Sequence, residues 1–269
     1  MKQTTEYTAT QAAIADALAN SRMGETVTIT GDADDIRAAF RKLKRERKVI
    51  HGDIEIASTC RGVKIRPAEK TDGKGMARVF REFATKYNEK LAKPLFDEAG
   101  DALVASDGRM MLISRIPSGL AREDAVENGF TDEAKFRWDW VAGDREQSDY
   151  ILSCFRNCGE IEKGSAEHGL LRLMGDAAKA YEHEDEEDIA ERFLKVRIGN
   201  QFYNAAFLAD LVDGLFRLGA EKVRVCEPYG LGPINLFGLG SGIDAKGLLI
   251  PIRTYDDGSN FYFPAATAA

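Results

Sequence analysis

A run of basic residues on one predicted helix is the part of this chain best suited to bind phosphate. Seven Lys and Arg residues fall between positions 37 and 48, and beyond the first turn only Glu46 opposes them. Some of them follow i, i+4, i+7 and i+11 spacing and therefore share one helical face: Arg37, Arg41, Lys44 and Lys48. Cations bind nucleic acid by displacing counterions from phosphates, so this face predicts contact with DNA or RNA. The alternative is a solvated helix face whose late positive charges favour the C-terminal end of the helix dipole.

The surrounding N-terminal region supports the same prediction. Arg45 lies on the same helix, and a predicted hairpin nearby carries Arg61, Lys64 and Arg66. The helix has no Asn or Gln, so any contact is expected with the nucleic-acid backbone and not with base edges. Residues 1–70 carry 13 Lys and Arg against 10 Asp and Glu, whereas residues 71–269 carry 24 against 34. This balance permits a locally basic face but argues against a protein that coats DNA.

Other groups of reactive side chains give weaker indications. Cys154 and Cys158 could hold half of a zinc site on one helical face, or be small buried residues of a core-facing helix. The acidic run at 182–188 lacks the Asp/Asn alternation and the glycine of a calcium loop, so solvated charge is favoured over a cation site. No histidine stands in a motif with Ser or Cys that suggests nucleophilic catalysis. We therefore expect no enzyme activity, no metal and no cofactor.

Two further patterns leave the prediction unchanged. Glycine pairs at 230–232 and 238–242 link predicted strands and do not open a helix, so they do not form a nucleotide-binding loop. Trp138 and Trp140 alternate with charged residues, and they are either core anchors or, if exposed, a hot spot for a protein partner.

Composition indicates a soluble globular protein. Of the 269 residues, 44% are hydrophobic and 30% are charged. The first seven residues are polar, unlike a signal peptide, and no apolar run approaches the ~18 residues that a membrane helix needs. Four cysteines in a chain of this length do not form a disulfide framework. We expect a cytoplasmic protein with no membrane partner.

The elements that position the basic face form a small α+β head over residues 1–70. The predicted helices are 9–21 and 34–48, the second with Asp32 as its N-cap and a buried stripe at Ile36, Phe40 and Leu43. A strand is predicted at 25–30, and a hairpin at 53–57 and 62–66.

Residues 71–269 read as a second domain of two similar halves, separated by a helical insertion at about 117–191. In the first half, a helix at 76–88 buries an apolar stripe formed by Met76, Val79, Phe80, Phe83 and Tyr87. Strands follow at 94–96, 102–106 and 110–114, with Asp107-Gly108 as a hairpin turn. The insertion contains a predicted strand at 135–141 and predicted helices at 148–158 and 169–181. The second half has a helix at 203–218, with strands at 194–198, 222–226, 234–237 and 247–253.

Two motifs in these halves resemble the bacterial DNA polymerase III beta sliding clamp. The residues Ala-Ser-Asp-Gly-Arg-Met-Met at 105–111 are similar to that family's hairpin Ala-Thr-Asp-Gly-His-Arg-Leu. The residues Ile-Pro-Ile-Arg at 250–253 are similar to its final strand, which ends in a Met-Pro-Met-Arg-like motif. The resemblance covers residues 75–116 and 193–254 and implies an α+β, DNA clamp-like domain of two helix-plus-antiparallel-strand halves. Clamp chains have three such domains, whereas this chain has residues for one copy.

The resemblance implies two binding surfaces. Clamps face DNA with helices, which here implies DNA contacts from the first helix at Arg78, Arg81 and Lys86. The second helix is expected to expose Asp210, Asp213 and Arg217, which suits phosphate poorly. Clamps also capture partner peptides in an apolar pocket near the C-terminus, which implies a partner site at Leu249, Ile250, Pro251 and Ile252.

Together these features predict a non-enzymatic, DNA-associated accessory or adaptor protein with a sliding-clamp-like domain. An origin in a phage or mobile element and a homo-oligomeric state are compatible with this prediction. The alternative is an interaction or assembly scaffold that binds no nucleic acid. An enzyme hidden in residues 117–191 ranks last.

Overall fold

The chain folds into two compact units, each built from separate stretches of sequence. The computed structural model describes residues 4–8, 10–57, 62–85, 87–133, 155–182, 194–228, 232–241, 243–252 and 260–262. Unit 1 consists of Met1–Ile65, Gly164–Asp210 and Pro251–Ala269, and unit 2 of Arg66–Lys163 and Leu211–Ile250. This division differs from the predicted boundary at residue 70, because two later stretches of chain join the N-terminal region.

The helices and strands of the described residues are as follows. The helices are α1 (Gln11–Ala19), α2 (Ala33–Arg45), α3 (Gly73–Phe80), α4 (Arg122–Glu127), α5 (Ala166–Tyr181) and α6 (Ala205–Arg217). The strands of unit 1 are β1 (Thr4–Thr8), β2 (Thr26–Thr30), β3 (Asp53–Ile56), β8 (Lys195–Ile198), β9 (Gln201–Asn204) and β13 (Asn260–Tyr262). The strands of unit 2 are β4 (Leu95–Asp97), β5 (Ala102–Ser106), β6 (Met110–Arg115), β7 (Phe155–Glu162), β10 (Lys222–Pro228), β11 (Ile234–Leu239) and β12 (Ala245–Leu249). None of the described helices is both long and apolar enough to span a bilayer.

Unit 1 is built on a mainly parallel sheet with the strand order β1-β2-β3-β13-β8-β9. All neighbouring strands are parallel except β8 and β9, which form an antiparallel pair. Parallel neighbours need a crossover connection, and α1 and α2 supply it between β1 and β2 and between β2 and β3. The core beside α2 contains Phe40, whose ring lies edge-on to Tyr181 and tilted against Phe261, each at 6.4 Å between centroids.

Both ends of α2 are fixed by local hydrogen bonds. At the start, the predicted N-cap is confirmed: the side chain of Asp32 accepts a hydrogen bond from the backbone N–H of Asp34. At the end, Arg47 has a left-handed φ of 51°, and the N–H of Lys48 donates to the carbonyl of Leu43 at 3.0 Å. This is the hydrogen-bond pattern that closes many helices. The predicted buried stripe of Ile36, Phe40 and Leu43 is confirmed, because all three are 0% exposed.

Unit 2 consists of two similar halves that share one antiparallel sheet. The strand order is β4-β5-β6-β12-β11-β10-β7. In the first half α3 precedes β4, β5 and β6, and in the second half α6 precedes β10, β11 and β12. The halves meet where β6 pairs with β12, with Leu112 opposite Gly247. The structure therefore confirms the predicted α+β class and the arrangement of two helix-plus-antiparallel-strand halves.

A close contact joins the two halves of unit 2 on their helical side. A Cβ placed on Gly214 of α6 would lie 2.7 Å from the ring of Phe83, which follows α3. Phe83 is 1% exposed, so its ring fills the space that a larger residue at 214 would need. Glycine is therefore required at this position by packing.

Two of the predicted elements in the first 100 residues differ in the structure. The predicted strand at 62–66 is wrong, because the strand position beside β3 is taken by β13, with Phe261 opposite Ile54. The predicted helix at 76–88 ends earlier: α3 stops at Phe80, and a single 3₁₀ turn follows at Arg81–Phe83. Ala84 is then extended, which breaks the helical period and leaves Tyr87 88% exposed instead of buried. The other members of that stripe are buried as predicted.

The middle of the chain contains one larger difference. The predicted helix at 148–158 is wrong over its described part, since residues from Phe155 onward form β7, the last strand of the unit 2 sheet. The cross-strand ion pairs Arg224–Glu160 and Lys222–Glu162 lie at directly opposed positions of β10 and β7. The predicted strand at 135–141, with both tryptophans, lies outside the described residues, as does the acidic run beyond Glu182.

Candidate nucleic-acid interface

The cations of α2 fall into two groups, and the first group is neutralised by acidic residues of unit 1. The guanidinium of Arg37 donates to Asp34 on its own helix at 2.7 Å and to Asp176 of α5 at 3.0 and 2.6 Å. The Arg37 side chain is only 19% exposed. The ammonium of Lys42 lies 3.4 Å from a carboxylate oxygen of Asp16 on α1. These two cations join α2 to its neighbouring helices.

The second group of cations faces an open groove of about 430 Å³ between α1 and α2. The groove is lined by Gln11, Ala38, Arg41, Lys44 and Arg45, and no acidic residue lines it. Within the described part of the chain, Arg41, Lys44 and Arg45 form no ion pair. Three positive charges therefore converge on one concave surface without an opposing charge. A cleft lined by one sign of charge concentrates oppositely charged ligands.

Lys48 lies beyond the end of α2 and outside the groove lining. Its side chain is exposed, while its backbone carbonyl accepts a hydrogen bond from the hydroxyl of Tyr181 at 3.0 Å. Tyr181 is itself buried, so this bond anchors the backbone from which the Lys48 side chain projects. Lys48 thus extends the basic surface past the helix C-terminus.

The amphipathic pattern of α2 explains why the groove cations face outward. The apolar positions Ile36, Phe40 and Leu43 define the buried face of an amphipathic helix, and Arg41, Lys44 and Arg45 fall outside that face. Positive charge in the last turn is also favoured by the helix dipole. The sequence predicted these cations but grouped Arg37 with them. The spacing of residues on α2 does not reveal that Asp176, on the distant helix α5, neutralises Arg37.

Gln11 is the groove residue that sequence reasoning missed. It is the first residue of α1, and its side-chain amide donates to the carbonyl of Ala38 on α2 at 3.4 Å. No signal in the sequence marks it, because the contact exists only once the two helices pack together.

The basic residues predicted on the first helix of unit 2 are engaged by other groups. Arg78 is exposed and lies 3.5 Å from Glu69. Arg81 is also exposed and donates to the carbonyl of Asn128 at 2.7 Å. Lys86 lies outside the described residues. Both described arginines thus have a polar partner among the described residues, unlike the groove cations.

The second helix of unit 2 contributes two buried charged residues to a network of ion pairs. Asp213 and Arg217 are 3% and 4% exposed, so the prediction that both are exposed is wrong. Arg217 lies 2.8 Å from Glu82 and 3.3 Å from Glu69, and Arg66 lies 2.8 Å from Glu82. Arg66, the last residue of the wrongly predicted strand, belongs to this network, as does Glu69 from the segment that follows. The positive and negative charges of the network are therefore paired with one another.

The predicted partner segment divides between core and surface. Leu249 is 1% exposed at the end of β12, so it is a core residue. Ile250 is 53% exposed, and its backbone N–H donates to the carbonyl of Arg109 at 2.9 Å. In unit 1, Pro251 is partly buried and Ile252 forms a bridge with Phe202. Ile250 is therefore the member of the segment that presents a large apolar surface.

The candidate metal-binding residues of the sequence include Cys158 in the described part of the chain. No group of three His, Cys, Asp or Glu side chains is arranged to hold a metal there. Cys158 lies on strand β7, so the prediction that it lies on a helix is wrong. Cys154 lies outside the described residues. Cys226 is buried on the neighbouring β10, and burial raises the pKa of its thiol to about 11. A thiol with this pKa stays protonated at neutral pH and is a poor nucleophile.

One lysine of unit 2 has a displaced pKa. Lys246 lies on β12, and its ammonium is 5.7 Å from the centre of the Phe237 ring on β11. Burial lowers the pKa of Lys246 to about 8.

The fold is of the α+β class, and its sheet in unit 2 is formed by two similar halves. Among solved structures, the chain is similar to DNA polymerase III subunit beta from Borrelia burgdorferi, with 12% identity and a TM-score of 0.40 over 68% of this chain and 62% of that chain. It is similar to the beta subunit from DNA polymerase of Streptococcus pyogenes, with 11% identity and a TM-score of 0.41 over 72% of this chain and 68% of that chain. It is also similar to the DNA polymerase III subunit beta from Pseudomonas aeruginosa, with 13% identity and a TM-score of 0.40 over 72% of this chain and 69% of that chain. The chain thus spans less than two thirds of the Borrelia burgdorferi subunit. No family model matches the chain, and no curated protein matches it.

Proposed function

We propose that this chain is a non-enzymatic, DNA-associated accessory or adaptor protein that holds nucleic acid through phosphate contacts from unit 1. The observation that carries the proposal is the division of the α2 cations. Arg37 and Lys42 are neutralised, whereas Arg41, Lys44 and Arg45 converge on a groove without acidic residues. Cations that have no acidic partner are the ones that release counterions from phosphates on binding.

The proposed contact is with the nucleic-acid backbone. α2 carries no Asn or Gln, and the amide of Gln11 is the single uncharged polar side chain in the groove lining. Arginine and lysine side chains on a shallow surface position phosphates but read no sequence. The protein is therefore expected to bind without strong sequence preference.

Unit 2 is proposed to contact a protein partner instead of DNA. Its described arginines on and beside α3 and α6 already contact Glu69, Glu82 or a backbone carbonyl, so each has fewer donors left for phosphate than the groove cations have. Ile250 offers an exposed apolar side chain beside the loop that contains Arg109. A clamp-like role, a homo-oligomeric state, a cytoplasmic location and a phage or mobile-element origin remain predictions from the sequence. A solution mass measurement tests the oligomeric state.

The alternative proposal is an assembly scaffold that binds no nucleic acid. The net charge of −7 and the pairing of Arg217 with Glu69 and Glu82 favour it. The two proposals differ in one respect that can be measured, which is salt-dependent binding to DNA.

The test is a charge reversal on the basic surface. The variant Arg41→Glu/Lys44→Glu/Lys48→Glu is compared with Lys74→Glu/Lys90→Glu/Lys93→Glu, which makes the same charge change at exposed lysines of unit 2. Binding of short labelled duplex and single-stranded oligonucleotides is followed by fluorescence anisotropy at low salt, and circular dichroism verifies folding. We expect the first variant to lose binding by at least about tenfold more than the second. Equal losses would show that the groove is not the binding surface, and no binding by the unaltered protein would support the scaffold.

A further inference from the structure

The groove cations lie within one turn of α2 and line one groove. Lys44 and Arg45 follow Arg41 by three and four positions, so each is a neighbour of Arg41 on the helix surface, with Cβ atoms about 5–6 Å from that of Arg41. A nucleic-acid strand that runs along a helix presents successive phosphates, which cations on successive turns of the helix would match better. Three positive charges within one turn match a ligand that concentrates negative charge on a few atoms.

We infer that this groove is a site for a terminal phosphoryl group, either a phosphomonoester or a pyrophosphate. A phosphodiester inside a strand carries one negative charge. A phosphomonoester carries about −1.5 to −2 at pH 7 and has three strongly accepting oxygens. The three cationic side chains and the amide of Gln11 supply donors for such a group. The inference deepens the proposed function where the phosphoryl group ends a nucleic-acid strand.

The dimensions and lining of the groove agree with this ligand. Its volume of about 430 Å³ lies within the ~300–1,000 Å³ that is typical of small-molecule sites. Ala38 is its one apolar lining residue, and no aromatic ring lines it. Binding of single-stranded bases relies on aromatic stacking, which this groove does not offer. Recognition is therefore of the phosphoryl group and not of the base that it carries.

The same chemistry has two sources, a free phosphoryl compound and the end of a strand, and the experiment has one arm for each. In the first arm, isothermal titration calorimetry measures binding of inorganic pyrophosphate at constant ionic strength. Arg45→Gln and Lys44→Gln remove one groove cation each, and Arg22→Gln removes an exposed cation of unit 1 that does not line the groove. We expect about tenfold weaker binding for each groove variant and less than twofold change for Arg22→Gln.

In the second arm, two oligonucleotides of the same sequence are compared, one with a 5′-phosphate and one with a 5′-hydroxyl. If the ligand is a strand end, the phosphorylated form binds about tenfold more tightly, and pyrophosphate competes with it. If pyrophosphate binds as predicted but neither oligonucleotide does, the site takes a free phosphoryl compound, and the proposed nucleic-acid function fails while this inference stands. If both oligonucleotides bind equally and pyrophosphate does not compete, this inference is overturned and the proposed function stands. If neither pyrophosphate nor any oligonucleotide binds, both are overturned.

Discussion

Arg37 donates two hydrogen bonds to one carboxylate oxygen of Asp176, at 3.0 and 2.6 Å, and thereby joins α2 to α5. Both side chains are about one-fifth exposed, so the pair is only partly screened by water. Arg172, one turn earlier on α5, lies 3.8 Å from the same carboxylate. The interaction orients the Arg37 side of α2 toward α5, while Arg41, Lys44 and Arg45 border the groove. It therefore separates structural cations from those proposed to bind phosphate.

Disruption of this pair is expected to affect stability more than binding. Arg37→Gln and Asp176→Asn should each lower the free energy of unfolding by about 1–2 kcal/mol, because each leaves a partly buried charge with fewer partners. The double variant should cost about 1 kcal/mol less than the sum of the two. Urea denaturation measures all four states of the cycle.

The same variants also test the division of the α2 cations. Arg37→Gln should change oligonucleotide affinity less than Arg41→Gln does, although both remove one positive charge from α2. If the two variants weakened binding equally, Arg37 would belong to the binding surface, and the ion pair would not set it apart.

The contact between Gly214 and Phe83 predicts that even one methyl group is not tolerated in unit 2. Gly214→Ala would place a Cβ 2.7 Å from the Phe83 ring, so we expect a loss of about 2 kcal/mol in unfolding free energy. Phe83→Leu in the same chain should recover part of that loss. Gly169→Ala is the matched control, because this helical glycine has no neighbouring atom within 4 Å of the added Cβ, and alanine should stabilise by about 0.5–1 kcal/mol. A neutral Gly214→Ala would contradict the packing described for the two halves.

Lys246 gives the stability of unit 2 a defined dependence on pH. The pKa of Lys246 is about 8 in the folded chain, and its ordinary value of 10.5 applies to the unfolded chain. Between pH 8 and pH 10.5 the unfolded chain therefore binds more protons at this residue than the folded chain does. The free energy of unfolding contributed by this residue therefore rises with pH across that window, and below pH 8 the full cost of burying the charge is present.

Replacement by an apolar residue should remove this cost. Lys246→Met is expected to raise the free energy of unfolding at pH 7 by about 1–2 kcal/mol, a value reduced for partial exposure and for the Phe237 contact. The gain should shrink between pH 8 and 10.5. Denaturation of both proteins at several pH values measures it, with Lys93→Met as an exposed control. A gain that did not vary with pH would contradict burial as its origin.

Local patterns in the sequence predicted the elements that depend on neighbouring residues. The amphipathic spacing around Phe40, the N-cap at Asp32 and the turn at Asp107-Gly108 were all read correctly, because helix periods and turn geometry are encoded within a few residues. The repeated order of helix and three strands in unit 2 followed from the same patterns.

Long-range pairing was not predictable in the same way. The pairing of β13 with β3 joins residues that are about 200 positions apart in sequence, and this pairing displaced the expected hairpin. The Asp176 carboxylate that neutralises Arg37 comes from α5, and Gln11 reaches the groove from α1. Side-chain spacing on one element shows which residues share a face, but it does not show what lies opposite that face.

The most direct test of the central claim is the salt dependence of oligonucleotide binding. Affinity for a short duplex is measured between 50 and 200 mM salt for the unaltered protein and for Arg41→Gln/Lys44→Gln/Lys48→Gln. With three phosphate contacts removed, the slope of log affinity against log salt should become less steep by about 3. An identical slope in both proteins would show that these cations do not contact phosphate, and the account of unit 1 as a nucleic-acid-binding surface would be wrong.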